Sequence, residues 1–332
     1  MRALLRSACP LSLLIASSAS AVTMAWTPIG DPGNAADTRV MNDGTTGYGS
    51  VPDTYSIGTY EVTNAQYAEF LNAKAPTDSL GLYNPYMGNP GPGPSGNGGI
   101  TRSGSPGSYI YSAIAERGDM PVNWVSWYDA ARFANWMNNG QGSGDTETGA
   151  YTLLGGTATP SNADTVARNA GATILLPSEN EWYKAAYFAP STASYFEYPT
   201  ASNTETICTM PTAAANSANC DNATENTTDD LTNVGSYTGS PSSYGTFDQG
   251  GNVWEWNEFI FVSADQSYRG VRGGGWVYGS HASYLAASNR YVGVPDEQYD
   301  MGFRVAMIPE PGTGLLVIAG LFGLAGWRRA SA

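Results

Sequence analysis

Thiols and imidazoles carry most redox, metal and nucleophilic chemistry, and this chain of 332 residues holds three cysteines and a single histidine. A facial iron site needs two histidines with a carboxylate, or three histidines. His281, alone in a Gly-Ser-His-Ala stretch, excludes it and reads as a surface or hydrogen-bonding residue. No Gly-x-Ser-x-Gly elbow offers His281 a serine to activate. The serine- and glycine-rich segment 103–107 lacks the lysine of a phosphate loop. Asp229-Asp230, or Glu179 with Glu181, could pair as acid and base, but among 29 acidic residues such proximity marks no site. Cys208 and Cys220 are spaced to close a loop of about 12 residues, a bond worth on the order of 3 kcal/mol. Their neighbours are mostly Thr, Ala, Asn and Asp, with no base to stabilise a thiolate. A structural disulfide is expected there rather than a redox pair.

The elements that would position these groups are short. Forty glycines imply many turns and few long regular stretches. Thr63-Asn64-Ala65-Gln66 is a capping box, followed at helical spacing by Tyr67, Phe70 and Leu71. Ser126 opens a second helix with Ala130, Phe133, Ala134 and Met137 on one face, stopped by Gly140. Ser178 opens a third, with Trp182, Ala185 and Ala186 facing inward. Strands are expected over 55–62, 173–176, 270–275 and 302–307. The segments 84–106 and 191–232 are polar and rich in turn formers, and read as long surface loops. The whole reads as one α+β domain with much irregular backbone.

The ends read as signals. Arg2 and Arg6, an apolar centre over 11–15 and the small residues Ala19-Ser20-Ala21 form an export signal over 1–21. At the other end Pro309-Glu310-Pro311, an apolar run over 315–327 and Arg328-Arg329 resemble a PEP-CTERM sorting signal over 309–332. As a helix that run reaches about 20 Å, short of the ~30 Å hydrocarbon core. A transient membrane stop, cleaved by an exosortase-type protease, is the expectation. The formal charge of -14 argues against nucleic acid or an anionic membrane as partner. It suits calcium, and solubility alone explains it equally well.

Seven blocks stand in order through 22–308. They are Tyr60-Glu61-Val62-Thr63-Asn64, Met120-Pro121-Val122-Asn123-Trp124-Val125-Ser126, Ala134-Asn135-Trp136, Leu176-Pro177-Ser178-Glu179 with Glu181-Trp182, Gly251-Asn252-Val253-Trp254-Glu255-Trp256, Arg272-Gly273-Gly274-Gly275-Trp276 and Gly302-Phe303-Arg304. Together they resemble the formylglycine-generating-enzyme, or sulfatase-modifying-factor, family. The resemblance implies a loop-rich fold related to C-type lectins and an oxidase that holds copper(I) between two thiolates. The corresponding positions fall near Ala282 and Ala287, where no sulfur exists, so copper is not expected. Calcium is implied at Asp248, Gly251, Val253 and Glu255, with a second site near Asn219 and Tyr237. Asp248 and Glu255 could instead pair with arginines or cap loops.

The family's peptide groove would be lined here by Trp124, Trp127, Trp276, Tyr278 and Tyr284, beside His281, Arg290 and Arg304. Aromatic faces with polar tips suit glycans or proteins as ligands. Trp182, Trp254 and Trp256 read as core, and Arg304 as a buried support. The expectation is an exported, noncatalytic binding protein of the envelope or matrix. The alternative is a divergent formylglycine-generating oxidoreductase acting on a protein cysteine.

Overall fold

In a computed structural model the chain is described over residues 21–223, 230–277 and 281–309. The sequence-based readings at 1–20 and 310–332, and Tyr278 with them, lie outside those residues. Three helices begin where capping predicts. Helix α1 spans Asn64–Lys74, α2 Trp127–Asn138 and α3 Glu179–Tyr187. Each N-cap hydroxyl, of Thr63, Ser126 or Ser178, accepts the amide three residues on, and the Gln66, Asp129 or Glu181 side chain returns the bond. Helix α2 differs from the one-faced helix expected: every residue from Trp127 to Met137 is buried. Its polar members are satisfied inside. Asn135 donates to the carbonyls of Thr146 and Tyr151, and Arg132 pairs with Glu147 at 2.6 Å.

Two four-stranded sheets flank this helix frame. One runs in the order Trp26–Ile29, Tyr55–Gly58, Ala306–Met307, Ile174–Leu175, all antiparallel, so the last strand of the domain sits inside the sheet beside its second. The other runs Tyr291–Gly293, Ser267–Arg272, Trp254–Val262, Met301–Gly302, its last pairing parallel. Its longest strand, Trp254–Val262, was not expected as a strand. Its first four residues are all buried, which erases the alternation by which a half-buried strand is recognised. The register shifts between Trp256 and Ile260, as at a bulge.

The expected loops 84–106 and 191–232 contain short structure: a 3-10 turn Pro85–Gly88, the strand Ile100–Ser103, and the two-residue strands Ser194–Tyr195, Ile207–Cys208 and Ser217–Ala218. Among the described residues no helix is long and apolar enough to cross a membrane. The main core gathers Tyr67, Phe70, Trp127, Phe133, Trp136, Trp256 and Phe303, with rings in edge and stacked contact. Arginines fasten the irregular backbone to it. Arg132, Arg269, Arg272 and Arg304 are each 1% exposed or less.

Candidate functional site

The residues near which the family's thiolates would fall belong to two different apolar clusters. Ala282 begins the 3-10 turn Ala282–Leu285, packed with Tyr198 and Cys220, whereas Ala287 sits in a separate cluster with Met41, Trp182 and Tyr183. Cys208 and Cys220 are joined in a disulfide. Neither cysteine therefore carries a thiolate in this state, so this pair offers copper(I) no thiolate donors. The disulfide has a positional role. It holds Cys220 under the Ala282–Leu285 turn and sets Asp221 beside it, where Asp221 Oδ2 lies 3.3 Å from His281 Nδ1.

Of the expected groove, Trp124 and Trp276 are buried at 7% and 5%, not presented to a ligand. Trp127 is fully buried and donates to the Asn257 carbonyl. Arg290 is held by neighbouring acids. Its guanidinium is fixed by Glu179 through two bonds and by Asp43 at 2.7 Å, and lies 3.9 Å over the Phe259 ring. Tyr284 and His281 remain at the surface, half-buried and exposed respectively. Tyr284 packs edge-on against Trp254 and against Tyr291, with ring centroids 5.9 and 5.5 Å apart. Tyr291 is 39% exposed on the edge strand of its sheet. Motif reading missed it, because it follows Arg290 in a stretch with no block of its own. Tyr284, Tyr291 and the buried Trp254 make one aromatic face beside His281.

The expected calcium residues divide into two groups. Asn219 meets Gly251-Asn252: the Asn252 amide donates to the Asn219 carbonyl at 2.8 Å. Gly251 has a positive φ of 86°, and a Cβ there would lie 2.3 Å from that carbonyl, so the approach requires glycine. Tyr237 is buried and donates to the Thr209 carbonyl. Val253 is buried in an apolar cluster with Met120, Leu231 and Trp276. Glu255, wholly buried, takes two bonds of 2.6 Å from Arg304 and one of 2.7 Å from the Trp182 indole. Arg304 also donates to the carbonyls of Gly58, Thr59 and Phe247. The motif glutamate is thus committed to an ion pair, the alternative left open by its sequence.

Asp248 accepts the Gly235 amide at 2.5 Å. Burial raises its carboxyl to about 6. Glu61, 1% exposed, has no hydrogen-bond partner for either oxygen among the described residues, and burial, then Asp248, raises it well above the usual carboxylate range. Tyr60 stacks on Phe247 at 5.7 Å, which brings the two carboxylates' chain segments together. Three acidic groups therefore act on one another around a single arginine. Glu61 and Asp248 carry hard oxygens of the kind calcium takes, whereas Glu255 is already engaged, and among the described residues no group of three or more such side chains is placed to hold a metal. Glu61 stood in the first block of the sequence, but nothing there showed that its partner would be missing.

Fold and site together define a sulfatase-modifying-factor scaffold. The profile described as sulfatase-modifying factor enzyme 1-like domain matches residues 27–308, and the chain belongs to that family. Over 69 residues it is 38% identical to an inactive C-alpha-formylglycine-generating enzyme 2 of Bos taurus, an alignment covering 20% of this chain and 23% of that protein. Among solved structures it is similar to Treponema denticola variable protein 1, with a TM-score of 0.55 and 22% identity over 88% of this chain and 98% of that one. CarF matches with a TM-score of 0.53 and 20% identity over 86% and 98%. These two likenesses establish the fold alone.

Proposed function

We propose that this is a noncatalytic member of its family, exported and used for recognition. The observation that carries the proposal is the missing sulfur: Cys208 and Cys220 are bonded to each other, and the family positions fall near Ala282 and Ala287, where no cysteine stands. The likeness to a relative named inactive supports it. The test is copper retention. The full chain, loaded with copper(I) and dialysed against a weak chelator, is expected to keep no stoichiometric metal. The third cysteine, Cys9, lies in the segment 1–21, and one copper per chain retained in a Cys9→Ser variant would overturn the reading.

In this proposal residues 1–21 direct export and 309–332 act as a PEP-CTERM tail, which passes transiently through the membrane and is read by an exosortase-type protease. The fold is a distant cousin of C-type lectins. The ligand, a glycan or a protein, meets the aromatic face of Tyr284 and Tyr291, whose exposed ring suits stacking. A glycan array read with the native chain and with Tyr291→Ala checks the sugar version; binding that survives the substitution would remove this face from the proposal. Calcium has a structural role, held by Glu61 and Asp248 rather than by Glu255. Added calcium is expected to raise Tm in the native chain and not in Glu61→Gln.

A further inference from the structure

Away from both places lies a cavity of about 470 Å³, where the start of α2 meets the chain around 81–85 and 295–297. Asp129, Asp296 and Glu297 line it, with the rings of Tyr83 and Tyr128 and the amide of Asn84. No lysine or arginine lines it among the described residues. Arg102, paired with Asp78, already lies 4.6 Å over the Tyr83 ring, and Arg132 has its Nη1 3.9 Å from Asp129 Oδ1, beyond hydrogen-bond reach. Arg132 is fastened instead to Glu147 and to the carbonyls of Thr157 and Ala158. Asp129 Oδ2 already accepts the Ser126 amide and hydroxyl, at 2.9 and 2.6 Å. Glu297 Oε2 accepts the Asn84 amide at 2.7 Å. One oxygen of each carboxylate is thus held in place by a donor, and Asp129 Oδ1 faces the Arg132 guanidinium at ion-pair distance.

A second observation is independent of the acids. Tyr128 is 2% exposed, and among the described residues its hydroxyl makes no hydrogen bond of full geometry, although the Ser267 side chain is close enough to act on it. Its side chain lines both the cavity and an adjoining hollow of about 260 Å³ that shares Thr159, Pro295 and Asp296. The groups acting on that hydroxyl are Ser267, Arg269, Asp164 and Asp296, and all but the arginine line the hollow. A buried hydroxyl without a partner is costly unless something fills the space beside it.

We propose that this cavity binds an organic cation, an ammonium or guanidinium group on a short aliphatic stem, held between Asp129 and Glu297 and flanked by the Tyr83 and Tyr128 rings. Aromatic walls favour such a cation over a bare metal ion, which would leave most of the volume empty. Burial, then Asp129, raises Glu297 to about 8, and burial raises Asp129 to about 6 against the opposing pull of Ser126 and Arg132. Asp78 acts on both in the same direction as burial, and Asp296 acts likewise on Glu297. At neutral pH the empty cavity holds a proton that an incoming cation displaces.

Isothermal titration of the full chain with 1,5-diaminopentane and with Nα-acetyl-lysine methylamide separates a free amine from a partner's side chain as the source. Tighter binding of either is expected, with Kd improving about tenfold or more from pH 6 to pH 8.5 and with proton release. Glu297→Gln, checked for an unchanged Tm, is expected to abolish the pH dependence and weaken binding at pH 8.5. Absence of heat with both amines, pH-independent binding, or undiminished binding in the variant would overturn the proposal. So would calcium chloride saturating the same Glu297-dependent site while the amines do not.

Discussion

Arg304 concentrates the interactions of the C-terminal block on one side chain: two bonds to Glu255 and three to backbone carbonyls, all inside the protein. Removing one partner of a buried ion pair leaves an uncompensated charge, at a cost of about 3–5 kcal/mol. Arg304→Met is therefore expected to lower the urea midpoint by that equivalent. The double variant with Glu255→Leu is expected to recover part of the loss. Equal losses in both would mean that Arg304 acts through the carbonyls alone. The same scale explains why motif reading stopped short. The sequence showed Glu255 and Arg304 as block residues and Asp248 just ahead of a block, and the choice between ion pair and metal depended on which oxygens faced the guanidinium. Glu61 and Tyr291 depended likewise on neighbours distant in the chain.

At the scale of elements, the helices were legible because capping is local. Thr63, Ser126 and Ser178 each carry a hydroxyl and a reciprocating side chain three residues on, and all three helices start there. Ser178→Ala removes one such bond and is expected to cost about 1 kcal/mol, read by urea denaturation. A null effect would place the stability of α3 in Glu179, which holds both Arg272 and Arg290. The Trp254–Val262 strand was not legible, since burial on both faces leaves no period. Nor was the enclosure of α2, whose polar residues look solvent-facing until Glu147 and the Thr146 carbonyl are brought to them. The disulfide was legible from spacing and flanking residues. Cys208→Ser with Cys220→Ser is expected to lower stability by roughly 3 kcal/mol and to loosen the turn that carries His281. Unchanged hydrogen exchange at 281–285 would contradict that positional role.

Over the whole molecule, buried carboxylates set the response to pH. Asp129, Asp248 and Asp300 are raised to about 6 and Glu297 to about 8, in each case first by burial. Unfolded, such groups titrate near 4. Between about pH 4 and pH 8 the folded chain thus binds more protons than the unfolded chain, and stability falls as pH rises. Asp43, lowered to about 2 by Thr45 and Arg290 against its burial, acts in the opposite sense and favours folding above its unfolded value. Tm followed by calorimetry in chelator is expected to be highest near pH 4–5 and to decline toward pH 8. A rising profile would contradict the burial of these acids. Calcium is expected to flatten the part of the decline that belongs to Glu61 and Asp248. The family and its mixed, loop-rich architecture could be read from seven ordered blocks. The groove could not, because Trp276 and Arg290 turn inward.

The central claim is that the scaffold recognises without oxidising. It is tested most directly by incubating the full chain with copper, oxygen and a Cys-x-Pro-x-Arg peptide, then weighing the peptide. An unaltered peptide is the predicted result. Conversion of its cysteine to the aldehyde, undiminished in a Cys9→Ser variant, would contradict the account.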